Sequence, residues 1–259
     1  RLCRDWSSDV CSSDLATIPN CISYDPTFAC ELAVIVQDGL RRMVAEQQDV
    51  FYYLTVMNEN YAHPALPEGA EQDILKGMYR FARGAANNGP RVQLLGSGTI
   101  FREAIAAAEL LRNDWGVEAD LWSCPSFTEL ARDGHDCTRH HLLHPDAPAR
   151  VCHVTACLGD TRGPVIAATD YIRAFAEQIR PFVAASGTGG RRYVVLGTDG
   201  FGRSDTREKL RHFFEVDRYW ITLSSLRALA DDGLIEVGKL AEAIKKYGLD
   251  PNKPNPVKV

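Results

Sequence analysis

The chain has 259 residues, 45% hydrophobic and 24% charged, and its 29 Lys and Arg against 34 Asp and Glu give a formal net charge of -5. This composition excludes wholesale disorder and collagen-like repeats, and without a basic surplus a nucleic-acid partner is not expected, since phosphate binding needs clustered Lys and Arg. No run approaches the roughly 18 apolar residues of a membrane-spanning helix, so a soluble protein without a membrane partner is expected.

Eight cysteines in a chain of this length do not make a disulfide scaffold, and no secretory signal precedes them. Cys21, Cys30, Cys124, Cys152 and Cys157 sit in apolar surroundings and read as reduced small hydrophobes, which suits a cytoplasmic location. Residues 1–15, RLCRDWSSDVCSSDL, lack Met and either periodicity. They resemble a translated sequencing adapter and are set aside as a non-native segment.

From Ala16 onward, strand-like and helix-like stretches alternate, the signature of an α/β fold with a mostly parallel sheet and flanking helices. Asp25 and Pro26 predict a helix start, followed by Phe28, Leu32, Ile35, Val36, Leu40 and Met43 at helical spacing. Phe51 to Met57 predicts a strand. Asn58 to Gly69 breaks both periodicities, and Ile74, Leu75, Met78 and Tyr79 predict a short helix before the Gly84 to Pro90 stretch. A division follows into residues 16–63, a linker over 64–90, and a larger domain over 91–259.

In that domain Val92 to Leu95 predicts a strand, Phe101 to Trp115 a helix, Ala119 to Ser123 a strand, and a helix opens near Ser126 or Thr128. Val151 to Cys157 and Val165 to Ala168 read as strands. Tyr171 to Val183 reads as one long amphipathic helix ended by the turn Gly187 to Gly190, and Tyr193 to Leu196 as a strand. Asp205 with Glu208 forms a capping pair for the next helix, and helices follow Asp217 and span Val237 to Tyr247 before a Pro-rich, extended tail.

Four groups of residues invite a functional reading. His135, Asp136, Cys137, His140, His141 and His144 include Cys-His spacings of three and four that suit zinc on one helical face, but they match no complete motif, and a polar surface helix and turn explain them better. Gly96, Ser97 and Gly98 join a strand to a helix, where amides can cradle an anion, although a glycine turn explains them with less. Gly197 to Asp205, GTDGFGRSD, is either a ligand loop at the carboxyl edge of the sheet or a capped turn. Asn58, Glu59, Asn60, Tyr61 and His63 leave a strand end, and Glu59 is either a tuned acid or base or, more often in such a loop, a carboxylate that is solvated or pairs across an interface. The run FTELARDGHDC, Phe127 to Cys137, is explained by a solvated helix face.

The segments FYYLTVMNENYAHPALPEGAEQDILKG, VQLLGSGTIFREA, SFTELARDGHDC, AATDYIRAFAEQIR and VLGTDGFGRSDTREKLRHFFEVD resemble the C-terminal portion of the homodimeric-type pyruvate dehydrogenase decarboxylating component, from about Thr17 onward. The resemblance implies the end of a pyrimidine-binding domain over residues 16–63 and a transketolase C-terminal-like domain over 91–259. It also implies a thiamine diphosphate and Mg2+ cofactor in the parent, a homodimer, and the dihydrolipoyl acetyltransferase as partner. The family's Gly-Asp-Gly…Asn cofactor motif is not matched: Asp160 lacks the second glycine, and Asp199 lacks the first and is followed by no Asn until Asn252. Its active-site histidines and activating glutamate fall upstream of Thr17, so no catalytic, cofactor-binding or metal residue is expected here. The alternatives are another transketolase-like thiamine enzyme and a non-catalytic anion-binding α/β module.

Overall fold

Five short strands with alternating faces build the centre of the molecule. The structure, a computed structural model, describes residues 15–184 and 190–259. Residues 1–14 of the adapter-like segment and 187–189 of the Gly-rich turn lie outside the described residues. Strands β3 (Tyr79–Ala82), β4 (Arg91–Gly96), β5 (Glu118–Ser123), β6 (Val165–Ala168) and β7 (Tyr193–Leu196) stand in the order β3-β5-β4-β6-β7. All pairs are parallel except β3 with β5. The expected α/β architecture with a mostly parallel sheet is therefore present.

Because successive strand residues face opposite sides, the sheet divides its side chains between two cores. Val92, Leu94, Ile166 and Ala168 pack on one face with Phe101, Ala104 and Leu111 of α3 (Ile100–Trp115) and with α9 (Arg218–Asp231). Leu95, Trp122, Val165 and Ala167 pack on the other with Phe127 and Leu130 of α4 (Phe127–Leu143), Val154 and Leu158 of α5 (His153–Leu158), and the helices α6 (Arg173–Glu177) and α7 (Arg180–Ala184). Phe101 and Phe127 are fully buried, each contributing about 3 kcal/mol of apolar transfer at most.

Ahead of this domain, β1 (Cys21–Tyr24) pairs parallel with β2 (Phe51–Leu54) across α1 (Ala29–Leu40), which continues into a π turn at Arg41–Ala45. Ile22, Tyr24, Val34 and Ile35 form a third core with Ile74 of α2 (Glu71–Lys76) and Tyr79 of β3. The remaining helices are α8 (Arg207–Phe213) and α10 (Gly238–Lys246), with a 3-10 turn at Pro256–Lys258.

Several expectations are corrected. Val151 to Cys157 is not a strand: the segment forms α5, and Asp133 Oδ2 accepts the His153 amide at its start at 2.6 Å. Tyr171 to Val183 is two short helices, since Pro181 offers no amide to the Glu177 carbonyl and its ring crowds that turn. Met78 and Tyr79 leave the predicted helix at Gly77, whose φ of +105° ends it, and Tyr79 opens an antiparallel strand instead. Strand β1 was not anticipated.

Helix caps also differ. Helix α1 starts after Phe28, with Glu31 accepting from the Thr27 and Phe28 amides, so Asp25 is not its cap. Helix α8 is capped by Thr206, whose Oγ1 accepts from Lys209 N, in place of the Asp205 and Glu208 pair. The helix expected after Asp217 is present as α9, and Asp217 caps it, accepting from the Tyr219 and Trp220 amides.

Candidate functional site

At the carboxyl edge of the parallel strands, where doubly wound sheets open a crevice, three turns meet the N-terminal unit. The turn after β4 carries Ser97, Gly98 and Thr99, that after β6 carries Thr169, Asp170 and Tyr171, and that after β7 carries Gly197, Thr198 and Asp199. The crevice is filled by the chain itself. Gly98 has φ of +51°, and a Cβ there would lie 2.6 Å from Asp25 Oδ2, so the Asp25 carboxylate packs directly against this turn. Gly98 N donates to the Asp25 carbonyl at 3.0 Å, and Thr27 Oγ1 donates to the Gly98 carbonyl at 2.8 Å. Thr55 Oγ1 donates to Asp25 Oδ1 at 2.8 Å and meets the Tyr171 hydroxyl at 3.0 Å. The space left between Asp25, Thr55 and Tyr171 is about 10 Å³, too small for a ligand.

Beside this plug lies a charged network. Glu59 accepts from Arg102 Nη1 at 2.5 Å and Arg211 Nη2 at 3.2 Å. Arg211 also donates to Thr99 Oγ1 at 3.2 Å and to Glu103 Oε1 at 3.3 Å, and Glu103 accepts from Arg218 Nε at 2.9 Å. Burial alone would raise both Glu59 and Glu103, but Arg211 and Arg102 around the first, and Arg218 and Arg211 around the second, hold both carboxyls below the ordinary range. Glu59 is thus a fixed anion in an ion-pair network joining the end of the first unit to α3 and α8, not a poised acid or base. Tyr61 donates its hydroxyl to the Thr27 carbonyl, and His63 Nδ1 accepts from Ala29 N at 3.1 Å, closing the start of α1.

Asp170 behaves oppositely. Its carboxyl is buried, Oδ1 has no hydrogen bond, and Oδ2 accepts only from Thr99 Oγ1 at 3.2 Å. Burial pushes it up to about 8 despite the Arg211 charge nearby. On the other side of this edge, Asp199 Oδ2 accepts from Arg173 N at 3.1 Å and Nε at 2.8 Å, and Arg203 lies 4.5 Å over the Phe213 ring. The Gly197 to Asp205 loop borders a cavity of about 240 Å³ in which Arg173 faces Asp199 and Lys253 faces Glu215, so its charges are internally paired.

The histidine run lies on α4 and its C-cap. His135, His141 and His144 are exposed, with the His140 and His144 ring centroids 4.6 Å apart and tilted by 41°, while Cys137 is half-buried against the second core. Among the described residues no three His, Cys, Asp or Glu side chains are grouped as metal ligands. Nor does the carboxyl edge fit a magnesium-bound diphosphate: Asp199 is committed to Arg173 and Asp170 favours its protonated form. All six cysteines of the described residues are free.

Glu31, which joins the two units, escaped sequence reasoning. Glu31 is fully buried and accepts from Thr27 N at 2.6 Å, Phe28 N at 3.0 Å, Tyr79 Oη at 2.8 Å and Ser123 Oγ at 2.6 Å, tying α1 to β3 and β5. A lone carboxylate between Phe28, Leu32 and Ile35 on an apolar helix was the available signal.

Comparison with known proteins agrees with this architecture. The profile described as "Transketolase-like TK C-terminal domain" matches residues 77–217, and that described as "Pyruvate dehydrogenase E1 component middle domain" matches 4–64. The pyruvate dehydrogenase E1 component of Cupriavidus necator is 73% identical over 245 residues, covering 94% of this chain and 27% of that protein. The Escherichia coli K12 component is 52% identical over 241 residues, covering 93% and 26%. This chain therefore spans about a quarter of the length of these relatives. Among solved structures, a Pichia stipitis transketolase complex aligns with TM-score 0.55 and 15% identity, over 85% of this chain and 26% of its own. A structure described as the inactive β4 tetramer of a split-gene transketolase aligns with TM-score 0.51 and 16% identity, over 84% and 61%. The chain belongs to the family of transketolase-like C-terminal domains and is alike, along nearly its whole length, to pyruvate dehydrogenase E1 components.

Proposed function

We propose that this chain is the C-terminal part of a pyruvate dehydrogenase E1 component, a cytoplasmic, homodimeric enzyme that decarboxylates pyruvate and reductively acetylates the lipoyl groups of its dihydrolipoyl acetyltransferase partner. The observation that carries the reading is the 73% identity over 245 residues to one such component. In the parent, thiamine diphosphate with Mg2+ supplies the carbanion chemistry, held by residues outside this chain. Residues 16–63 are the end of the pyrimidine-binding domain, 64–90 the linker and 91–259 the transketolase C-terminal-like domain, and no residue among them is catalytic. The chain's own work is structural: Asp25, Glu31 and Glu59 lock the first unit onto the second through Gly98, Ser123 and Arg211.

The surface of the first unit supports this. Its two-stranded sheet is smaller than an independently stable one, and Leu40, Val44 and Val56 are exposed at 56%, 66% and 65%, as expected of a domain whose remainder covers them. The test is to assay the purified chain for carbon dioxide release from pyruvate with thiamine diphosphate and Mg2+. No turnover is expected; carbon dioxide release by the chain alone would overturn the reading.

A further inference from the structure

Toward the N-terminal ends of β4 and β5, away from the Gly98 turn, lies a cavity of about 920 Å³. Its floor is a finished hydrogen-bond network. Asp120 Oδ1 accepts from Arg91 Nη1 at 2.6 Å and Gly84 N at 2.9 Å, and Oδ2 accepts from Gln93 Nε2 at 2.8 Å. The Trp122 indole donates to Gln93 Oε1 at 2.8 Å. The Arg91 and Asp120 charges cancel, and the floor is rigid and neutral.

The walls are not neutral. Lys76 ends α2, Arg80 lies on β3, Arg83 follows that strand, and Arg162 precedes β6. Arg80 is opposite Trp122 in the register, and its guanidinium sits 5.6 Å from the indole centroid with no carboxylate of the described residues within ion-pair distance. Arg83 has neither a hydrogen bond nor an ion pair among the described residues, and Arg162 donates only to the Asn87 carbonyl. Lys76 is 3.9 Å from Asp73, and Asp160 is the other carboxylate of the walls. Arg41, Arg102, Arg132, Arg180, Arg192 and Arg218 show the contrast, each holding a carboxylate. A chain of net charge -5 thus concentrates exposed, uncompensated guanidinium groups around one concave site, where their fields add.

We propose that this cavity binds a small organic anion of the phosphate-ester class carrying two or more negative charges, with Arg80 and Arg83 as its main cationic ligands. Guanidinium forks match phosphate oxygens, and four cations converging from three chain segments suit a tetrahedral group better than a planar carboxylate, which one fork satisfies. The volume lies in the range of small-molecule sites and leaves room for an organic body beside the phosphates. Stacking on Trp122 holds Arg80 in place, which lowers the ordering cost on binding. None of the residues lining the site belongs to the turns after β4, β6 and β7, and the inference does not depend on the proposed parent activity.

The test is isothermal titration of the full chain with inorganic pyrophosphate and, separately, citrate at fixed ionic strength. Saturable binding of pyrophosphate is expected, with citrate about tenfold or more weaker. Arg80→Gln with Arg83→Gln should weaken pyrophosphate by about tenfold or more, whereas Arg139→Gln with Arg150→Gln, at exposed positions outside the cavity, should leave it within about twofold. Arg83→Gln alone breaks no contact in the fold, so it should keep the melting temperature and still weaken binding about threefold. Absence of saturable pyrophosphate binding, equal losses in both double variants, or citrate binding as tightly as pyrophosphate would each overturn the proposal.

Discussion

The Asp25 carboxylate occupies the space in which Gly98 would carry a side chain, with Oδ2 2.6 Å from the position of a Cβ. The turn after β4 is thereby a glycine turn packed against a carboxylate of the same chain. Gly98→Ala should cost about 3 kcal/mol or more in chemical denaturation, combining a left-handed backbone strain of order 1–3 kcal/mol with displacement of Asp25 from Thr55. Asp25→Ala added to it should cost less than the sum of the two single changes, because it opens the space the methyl needs. Strict additivity would separate the two residues.

Glu31 is the second lock. Its Oε2 takes two backbone amides and its Oε1 takes the Tyr79 and Ser123 hydroxyls, while burial raises its carboxyl above the ordinary range despite these donors. A glutamine satisfies the same geometry, since its carbonyl takes the amides and its NH2 donates to the hydroxyls, which rotate to accept. Glu31→Gln should change stability by less than about 1 kcal/mol, whereas Glu31→Ala, leaving buried donors without partners, should cost about 3 kcal/mol. Equal losses in urea denaturation would show that the charge, rather than the bonding shape, matters.

How far such features were legible depends on the distance over which they act. Val92 to Leu95 and Phe101 to Trp115 announce themselves because period and burial coincide within each segment. Val151 to Cys157 misleads because its β-branched residues suit a strand, and only Asp133, eighteen residues earlier in the chain than the segment's first residue, starts the helix. The Tyr171 to Val183 pattern is truly apolar on one face, but one proline divides it. Arg80 and Arg83 look like ordinary strand polarity; their gathering with Lys76 and Arg162 comes from the β3 and β5 pairing, which no local pattern encodes.

Arg211 is the hub of the acidic cluster, contacting Glu59, Glu103 and Thr99. Arg211→Met should cost about 3 kcal/mol, because it leaves buried carboxylates short of a cation. Both glutamates have depressed values in the fold. Their contribution is therefore present above the unfolded glutamate value near 4.3 and lost as pH falls through the lower folded values. The variant should lose part of this acid dependence, and an unchanged slope of stability below about pH 4.5 would contradict the assignment.

Asp170 titrates in the opposite sense and in a different window. Its folded value of about 8 stands above the ordinary 3.8, so the native state binds the proton more tightly than the unfolded chain. The stabilising difference is fully present below the unfolded value and is lost as pH rises through the folded one, so stability should decline between about pH 4 and pH 8 on this account. Asp170→Asn keeps the shape without the ionisation and should flatten that decline. It should be more stable than the native chain at about pH 8.5 and close to it at about pH 4.5, measured by thermal melting across the series. A parallel decline in both proteins would mean that the Asp170 carboxyl is already ionised in the fold, with Arg211 outweighing burial.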